Sequence, residues 1–189
     1  KHVYNFWKDA DHVRGIWRRT PLESYKSKNP VWEILLDIDK LSEIDGKKWV
    51  FKGSSGLYPD YNRFLIQLSE GGGDAVYIKE FDVTKKQFIE NGFSIDEAKG
   101  DAEYVNENTV LVSTDFGEGT MTTSGYPRQV KLWKRGTSLL DAQLIYEADT
   151  TDVLAIGTVF RDGDKSYTIL IKYQSFLSSQ FSVWSDNKV

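Results

Sequence analysis

The sequence predicts an all-β protein, a partial β-propeller of about four blades with about four short antiparallel strands in each. Three observations carry that expectation: an aromatic share of 14%, apolar residues at every second position in many short segments, and a pattern that returns at a fixed interval. Aromatic and β-branched side chains suit the half-buried, pleated surface of a strand. Strict alternation places one face of such a segment in a core.

The interval is visible when Tyr58-Pro-Asp-Tyr-Asn-Arg-Phe-Leu-Ile-Gln is laid over Tyr104-Val-Asn-Glu-Asn-Thr-Val-Leu-Val-Ser, at a constant offset of 46 residues. Tyr58 falls on Tyr104, Asp60 on Asn106 and Asn62 on Asn108, while Phe64 and Ile66 fall on Val110 and Val112. Each copy reads as an Asp/Asn turn leading into a strand. A second echo joins Val13-Arg-Gly-Ile-Trp-Arg-Arg-Thr to Val130-Lys-Leu-Trp-Lys-Arg-Gly-Thr. A spacing of about 40–50 residues with about four strands is that of a propeller blade; a β-sandwich of short strands requires no fixed offset. The units so defined are 1–46, 47–92, 93–147 and 148–189.

In the first unit the strand pattern is present from Lys1-His-Val-Tyr-Asn-Phe-Trp and resumes at Val13–Thr20 and Val31–Leu36. A short helix follows over Asp37–Asp45, capped by Asp37 and stopped by Gly46. In the second, the strand at Arg63–Gln67 runs into a hairpin turn at Ser69-Glu-Gly-Gly-Gly-Asp. A short helical pattern covers 93–99. In the third, the strands Asn108–Ser113 and Gln129–Lys134 are separated by Ser113–Arg128, about eight residues longer than the matching turn of the second unit. In the fourth, Val153–Phe160, a turn at Asp162-Gly-Asp and Tyr167–Tyr173 read as the opening strands of one more blade, followed by Gln180-Phe-Ser-Val-Trp.

Composition narrows the functional classes. The net charge is −4, with 24 Lys plus Arg against 28 Asp plus Glu, and no basic stripe is available to track a phosphate backbone; a nucleic-acid partner is not expected. The short clusters Arg18-Arg19 and Lys131 with Lys134-Arg135 read as solvated strand ends. The chain has no cysteine, which excludes disulfides, thiolate metal sites and a cysteine nucleophile. Cytoplasm is the expected compartment, with periplasm as the alternative. No stretch approaches about eighteen apolar residues, so no membrane span is expected. The first residues resemble neither a signal peptide nor an initiation site, which reads as a piece of a longer chain.

Nothing in the residues promises catalysis. Gly53-Ser-Ser-Gly and Thr123-Ser-Gly lack the spacing of a nucleophile elbow. A Ser-His-Asp triad needs a histidine base, and the chain has His2 and His12 alone. His12, in Asp-His-Val-Arg, reads as a turn residue, and His2 as part of a disordered end. Asp37-Ile-Asp-Lys-Leu begins like a calcium loop, but Ser42 and Lys48 stand where glycine and glutamate are needed. Gly71-Gly-Gly-Asp lacks the ending of a phosphate loop, and the pairs Asp9/Asp11 and Asp149/Asp152 suit turns. No catalytic residue, metal or cofactor is expected in this chain.

Three long strings, NFWKDADHVRGIWRRTPLESY (5–25), SGLYPDYNRFLIQLSEGGGDA (55–75) and TDFGEGTMTTSGYPR (114–128), resemble the N-terminal propeller of bacterial prolyl oligopeptidase-family serine peptidases. The resemblance runs from about Tyr4 to about Trp184. It implies a fragment of a seven-bladed propeller that caps an α/β-hydrolase domain, whose Ser-Asp-His triad lies in a C-terminal part absent from this chain. It also implies that the propeller admits short peptides, cleaved typically after proline, and excludes folded proteins. The partners are then that hydrolase domain and short proline-containing peptides. The long loop, with Phe116, Met121, Tyr126 and Arg128, is a candidate for gating the cavity or meeting the hydrolase domain. Inner strands of blades face a central tunnel, so Lys99 and Asp101, together with Trp49-Val-Phe, are candidates for its lining, with an ordinary blade-to-blade contact as the alternative. A free-standing propeller that binds proteins or glycans is the rival reading. The fragment is further expected to be marginally stable or to self-associate through exposed blade faces.

Overall fold

In the computed structural model, which describes residues 1–185 and 188, four antiparallel sheets follow one another along the chain. The first contains β1 (His2–Trp7), β2 (Ile16–Pro21) and β3 (Glu33–Asp37) in that order. The second contains β4 (Trp49–Gly56), β5 (Arg63–Glu70) and β6 (Val76–Asp82), and both β7 (Gln87–Phe88) and β8 (Ser94–Ala98) pair along β6. The third runs β9 (Asp101–Asn106), β10 (Thr109–Ser113), β11 (Gln129–Lys134) and β12 (Gln143–Glu147). The fourth contains β13 (Leu154–Asp162), β14 (Lys165–Ser175) and β15 (Ser178–Trp184). The first strands β4, β9 and β13 are neighbours from sheet to sheet, so these sheets share an inner edge and grow outward from it. This is the blade arrangement of a propeller.

Helix α1 is a single turn at Leu22–Tyr25, and α2 spans Ile38–Asp45. The Asp37 side chain accepts the Lys40 N–H at 3.1 Å, as a helix cap should, and Gly46 closes α2 with φ of 65°. Only glycine takes that left-handed conformation at low cost. His2 stands in β1 opposite Pro21, within a paired strand and not in a disordered end.

The segment 93–99 is a strand, not a helix. Its buried positions Phe93 and Ile95 are two apart, the period of a strand, and Ile95 lies opposite Ile78 of β6. The second sheet therefore extends to Ala98 and the third begins at Asp101, a few residues beyond the boundary expected at 92/93. The 46-residue echo is faithful in β5 and β10, where Phe64, Ile66, Val110 and Val112 are all buried. It breaks at the tyrosines. Tyr58 sits in the exposed turn after β4, whereas Tyr104 lies inside β9 with no exposed surface.

Each seam between sheets has its own packing. The first is aromatic: the Trp17 ring stacks on Tyr4 and meets Phe64 and Phe81 edge-on at 4.9 and 5.9 Å. The second buries Leu65, Ile78, Tyr104, Val110 and Trp133. The third is aliphatic, with Leu111, Val130, Val159 and Leu170. There Gly157 allows β13 to approach closely, since a Cβ on it would lie 2.9 Å from Val130 Cγ1 and 3.3 Å from Leu111 Cδ1. Gly157→Ala forces that buried seam apart and should cost about 1–3 kcal/mol, read as a lower urea midpoint at unchanged slope. The outer faces of the first and last sheets carry exposed apolar side chains, Trp7 and Ile34 on one, Phe160, Phe181 and Val183 on the other.

Candidate functional site

One rim gathers the candidate residues because antiparallel order puts the second-to-third turns of the second, third and fourth sheets, and the connections out of the second and third, at the same end. Residues 71–75, 99–100, 114–128 and 148–153 all lie there.

The long loop folds back on itself. Asp115 Oδ1 accepts the Gly117 N–H at 2.8 Å, and the Thr120 hydroxyl donates to the Gly117 carbonyl at 2.7 Å while accepting the Phe116 N–H. Met121 then forms an antiparallel bridge to Pro127, and the Thr122 N–H reaches the Tyr126 carbonyl at 2.8 Å. Two bonds fasten this finger to the connection leading into the fourth sheet: Thr123 N–H to the Thr150 carbonyl at 2.8 Å, and the Thr122 hydroxyl to the Val153 carbonyl at 2.9 Å. The Ala155 N–H returns a bond to the Pro127 carbonyl at 2.8 Å.

Arg128 is the clamp of the loop. Its Nε donates to the Ala148 carbonyl at 2.8 Å, and its Nη1 to the Gly119 carbonyl at 2.9 Å and Glu147 Oε1 at 2.8 Å. The planar guanidinium can hold these partners at once, which a lysine cannot. Tyr126 ties the loop to the second sheet: its hydroxyl donates to Asp74 Oδ2 at 3.0 Å, and Lys99 Nζ lies 4.0 Å from its ring centroid. Phe116 is half-buried against the core of the second seam, with Lys131 Nζ 3.9 Å from its centroid. Burial holds the Lys131 ammonium below its ordinary value, with Glu147 partly opposing.

The structure thus brings Tyr126 and Lys99 together and places Phe116, Met121 and Arg128 in one fixed loop. Asp101 does something else. Its carboxylate accepts from Gln67 Nε2 of the second sheet at 2.6 Å and from the Ala102 N–H. Burial pushes this carboxyl above the usual carboxylate range and Glu103 adds to the rise, the two hydrogen bonds offsetting only part. Its carboxylate makes a blade-to-blade contact, the alternative expected beside tunnel lining, with part of the residue still exposed. Trp49 is buried, donating to Asp45 Oδ2 at 2.8 Å, and Phe51 stacks on Phe6 of the first sheet.

The basic clusters are more than solvated strand ends. Arg135 makes a two-pronged pair with Glu80, at 2.7 Å to each carboxylate oxygen, across the second seam. Tyr104 Oη and the Phe93 N–H donate to the same carboxylate at 2.8 and 3.1 Å. Arg18 lies between two indoles, 4.5 Å from Trp7 and 4.4 Å from Trp32. The alternation of neighbouring residues could have flagged Glu80, an acidic position in phase with buried Ile78; no local signal marks its partner 55 residues away. His12 is a turn residue as expected, its N–H and its ring both meeting Asp9 Oδ1. Among the described residues no cluster of three or more His, Asp or Glu could hold a metal ion.

A family model described as the prolyl oligopeptidase N-terminal β-propeller domain matches residues 1–187. The chain belongs to the prolyl oligopeptidase family. It is 45% identical over 172 residues to the uncharacterized peptidase y4nA of Sinorhizobium fredii, an alignment that takes in 91% of this chain and 24% of that protein. The uncharacterized peptidase RP174 of Rickettsia prowazekii is 34% identical over 185 residues, with 88% and 26% covered. The solved post-proline cleaving enzyme from Rickettsia typhi superposes with a TM-score of 0.78 at 28% identity, over 97% of this chain and 30% of that one. Oligopeptidase B from Leishmania major shares the fold, with a TM-score of 0.72 at 13% identity over 97% of this chain and 24% of that one. The chain spans about a quarter of the length of the curated relatives it matches. In this prolyl oligopeptidase propeller, 114–128 is the longest connection between strands of one sheet.

Proposed function

We propose that this chain is the non-catalytic propeller part of a prolyl oligopeptidase-like serine endopeptidase, gating the access of short proline-containing peptides to an active site in a C-terminal α/β-hydrolase domain of the parent chain. The observation that carries this reading is the anchoring of loop 114–128 to both neighbouring sheets, through Tyr126 and Asp74 on one side and Thr122, Thr123 and Thr150 on the other. Sorting peptides by size needs an opening whose walls keep their shape. A long loop without such bonds would yield to a bulky chain; this one has much of its backbone hydrogen-bonded and its arginine held by two carbonyls and a carboxylate. The loop acts as a fixed wall and not as a swinging lid.

The test is made on the full-length peptidase with residues 117–125 removed. The ratio of kcat/KM for long peptides over short ones should rise by about tenfold, a difference of about 1.4 kcal/mol in transition-state access. Arg128→Ala, which loosens the loop without shortening it, should move the ratio the same way by less. An unchanged ratio in both variants removes the gating role.

A further inference from the structure

The β14–β15 hairpin ends in an unusual turn. Ser175 and Ser178 are the last paired residues, so Phe176 and Leu177 form the turn itself. Phe176 is 93% exposed and Leu177 99%. Tight hairpin turns favour glycine, asparagine and aspartate, so a Phe-Leu pair works against both turn chemistry and water. The turn is nevertheless held in place, the Leu177 N–H donating to Ser175 Oγ at 3.2 Å and the Ser178 hydroxyl to Gln174 Oε1 at 3.1 Å.

The tip belongs to the rim of loop 114–128. The Val153 N–H donates to the Tyr173 carbonyl at 2.7 Å just below the tip, and the Val153 carbonyl accepts from Thr122 of the loop at 2.9 Å. The turn at the other end of β14, which joins it to β13, is Asp162-Gly-Asp-Lys, as polar as a solvent-facing turn should be. A strand added beside β15 would cover its edge, and a sheet stacked on it would cover Phe181 and Val183. Neither would reach past the Ser175–Ser178 pair.

From these observations, and resting on the function proposed above, we infer that Phe176 and Leu177 form an apolar peg that seats in a hydrophobic pocket of the parent chain's hydrolase domain. The occupant follows from size and chain length. Two side chains are far too little surface for a stable contact between separate molecules, which takes on the order of 1,000 Å² or more. They suffice within one chain, where the partner is present at high effective concentration. Most of the length of each curated relative lies outside the matched region, which supplies such a partner.

The experiment uses the full-length protein with Leu177→p-benzoylphenylalanine, irradiated and mapped by mass spectrometry, with the same photoprobe at Asp164 on the opposite rim as control. Crosslinks from position 177 should fall in the hydrolase domain of the same chain, and the control should give none there. Crosslinks confined to propeller residues, a covalent dimer, or a yield no higher than the control overturns the inference. A second readout is F176S/L177S, in which limited proteolysis between the two domains should run at least about threefold faster; an unchanged rate also counts against the peg. Failure of the underlying reading looks different: the full-length protein would lack peptidase activity, or its size selectivity would ignore the loop deletion, whatever position 177 touches.

Discussion

Glu80→Ala should cost the chain about 3–5 kcal/mol of stability, among the largest effects any single substitution will have. The change leaves the Arg135 guanidinium against the Phe93 ring without its carboxylate partner, bonded only to the Glu107 carbonyl, and it strands the Tyr104 hydroxyl in a place with no exposed surface. An uncompensated buried donor is expensive, and a buried charge more so. The same pair makes stability depend on acid. Burial opposes the Glu80 charge, but the Arg135 fork, the Tyr104 hydroxyl and the Phe93 N–H together outweigh it and hold the carboxyl below the usual glutamate range. A group lowered in this way contributes its stability above its unfolded value of about 4.3 and loses it as pH falls through the lower folded value. The contribution is therefore complete at neutral pH and fades below about pH 4. Urea titrations at a series of pH values should show wild type losing part of its stability in that window, while Glu80→Gln starts lower and loses less. Parallel curves for the two proteins would refute the assignment.

Trp17→Ala should cost a comparable amount, about 3–5 kcal/mol, for a different reason. The indole is 2% exposed and touches rings from β1, β4, β5 and β6. No neighbour is free to fill the space, because Phe64 and Phe81 are themselves enclosed. Near-ultraviolet circular dichroism should lose aromatic intensity along with the fall in urea midpoint, and the pH dependence set by Glu80 should be unchanged.

Much of the fold is legible because strand alternation is local. The strands around Phe64, Val110, Val130 and Ile169, the Asp37 cap and the Gly46 stop can each be read from a window of a few residues. Segment 93–99 suggests a helix for the converse reason: with few apolar residues, a short strand and one helical turn give nearly the same pattern. Family membership is legible from long strings, and the exceptional length of 114–128 from comparison with its shorter counterpart. What no window contains is the distant partner. For Asp101 the inner strand leaves tunnel lining and a blade-to-blade contact equally open, and only the stacked sheets bring Gln67 to its carboxylate. Arg18 and Arg135 resemble hydrated ends because their partners, the paired indoles and Glu80, are assembled only by the register and stacking of whole sheets.

The interrupted outer strand of the second sheet bears on how the molecule is assembled during synthesis. Residue 80 pairs through its backbone with both Ile89 and Phe93, so the chain between them bulges outward. Gly92 there leaves no room for a side chain, since a Cβ would sit 2.7 Å from the Glu80 carboxylate. The result is a notch, framed by β7 on one side and β8 on the other, beside the acid that a guanidinium from the following sheet meets. All the frame precedes Arg135 in the chain, so a ribosome delivers the finished lock before the key. The chain is made from its N-terminal end, and here that order leaves the frame waiting for the residue that completes it.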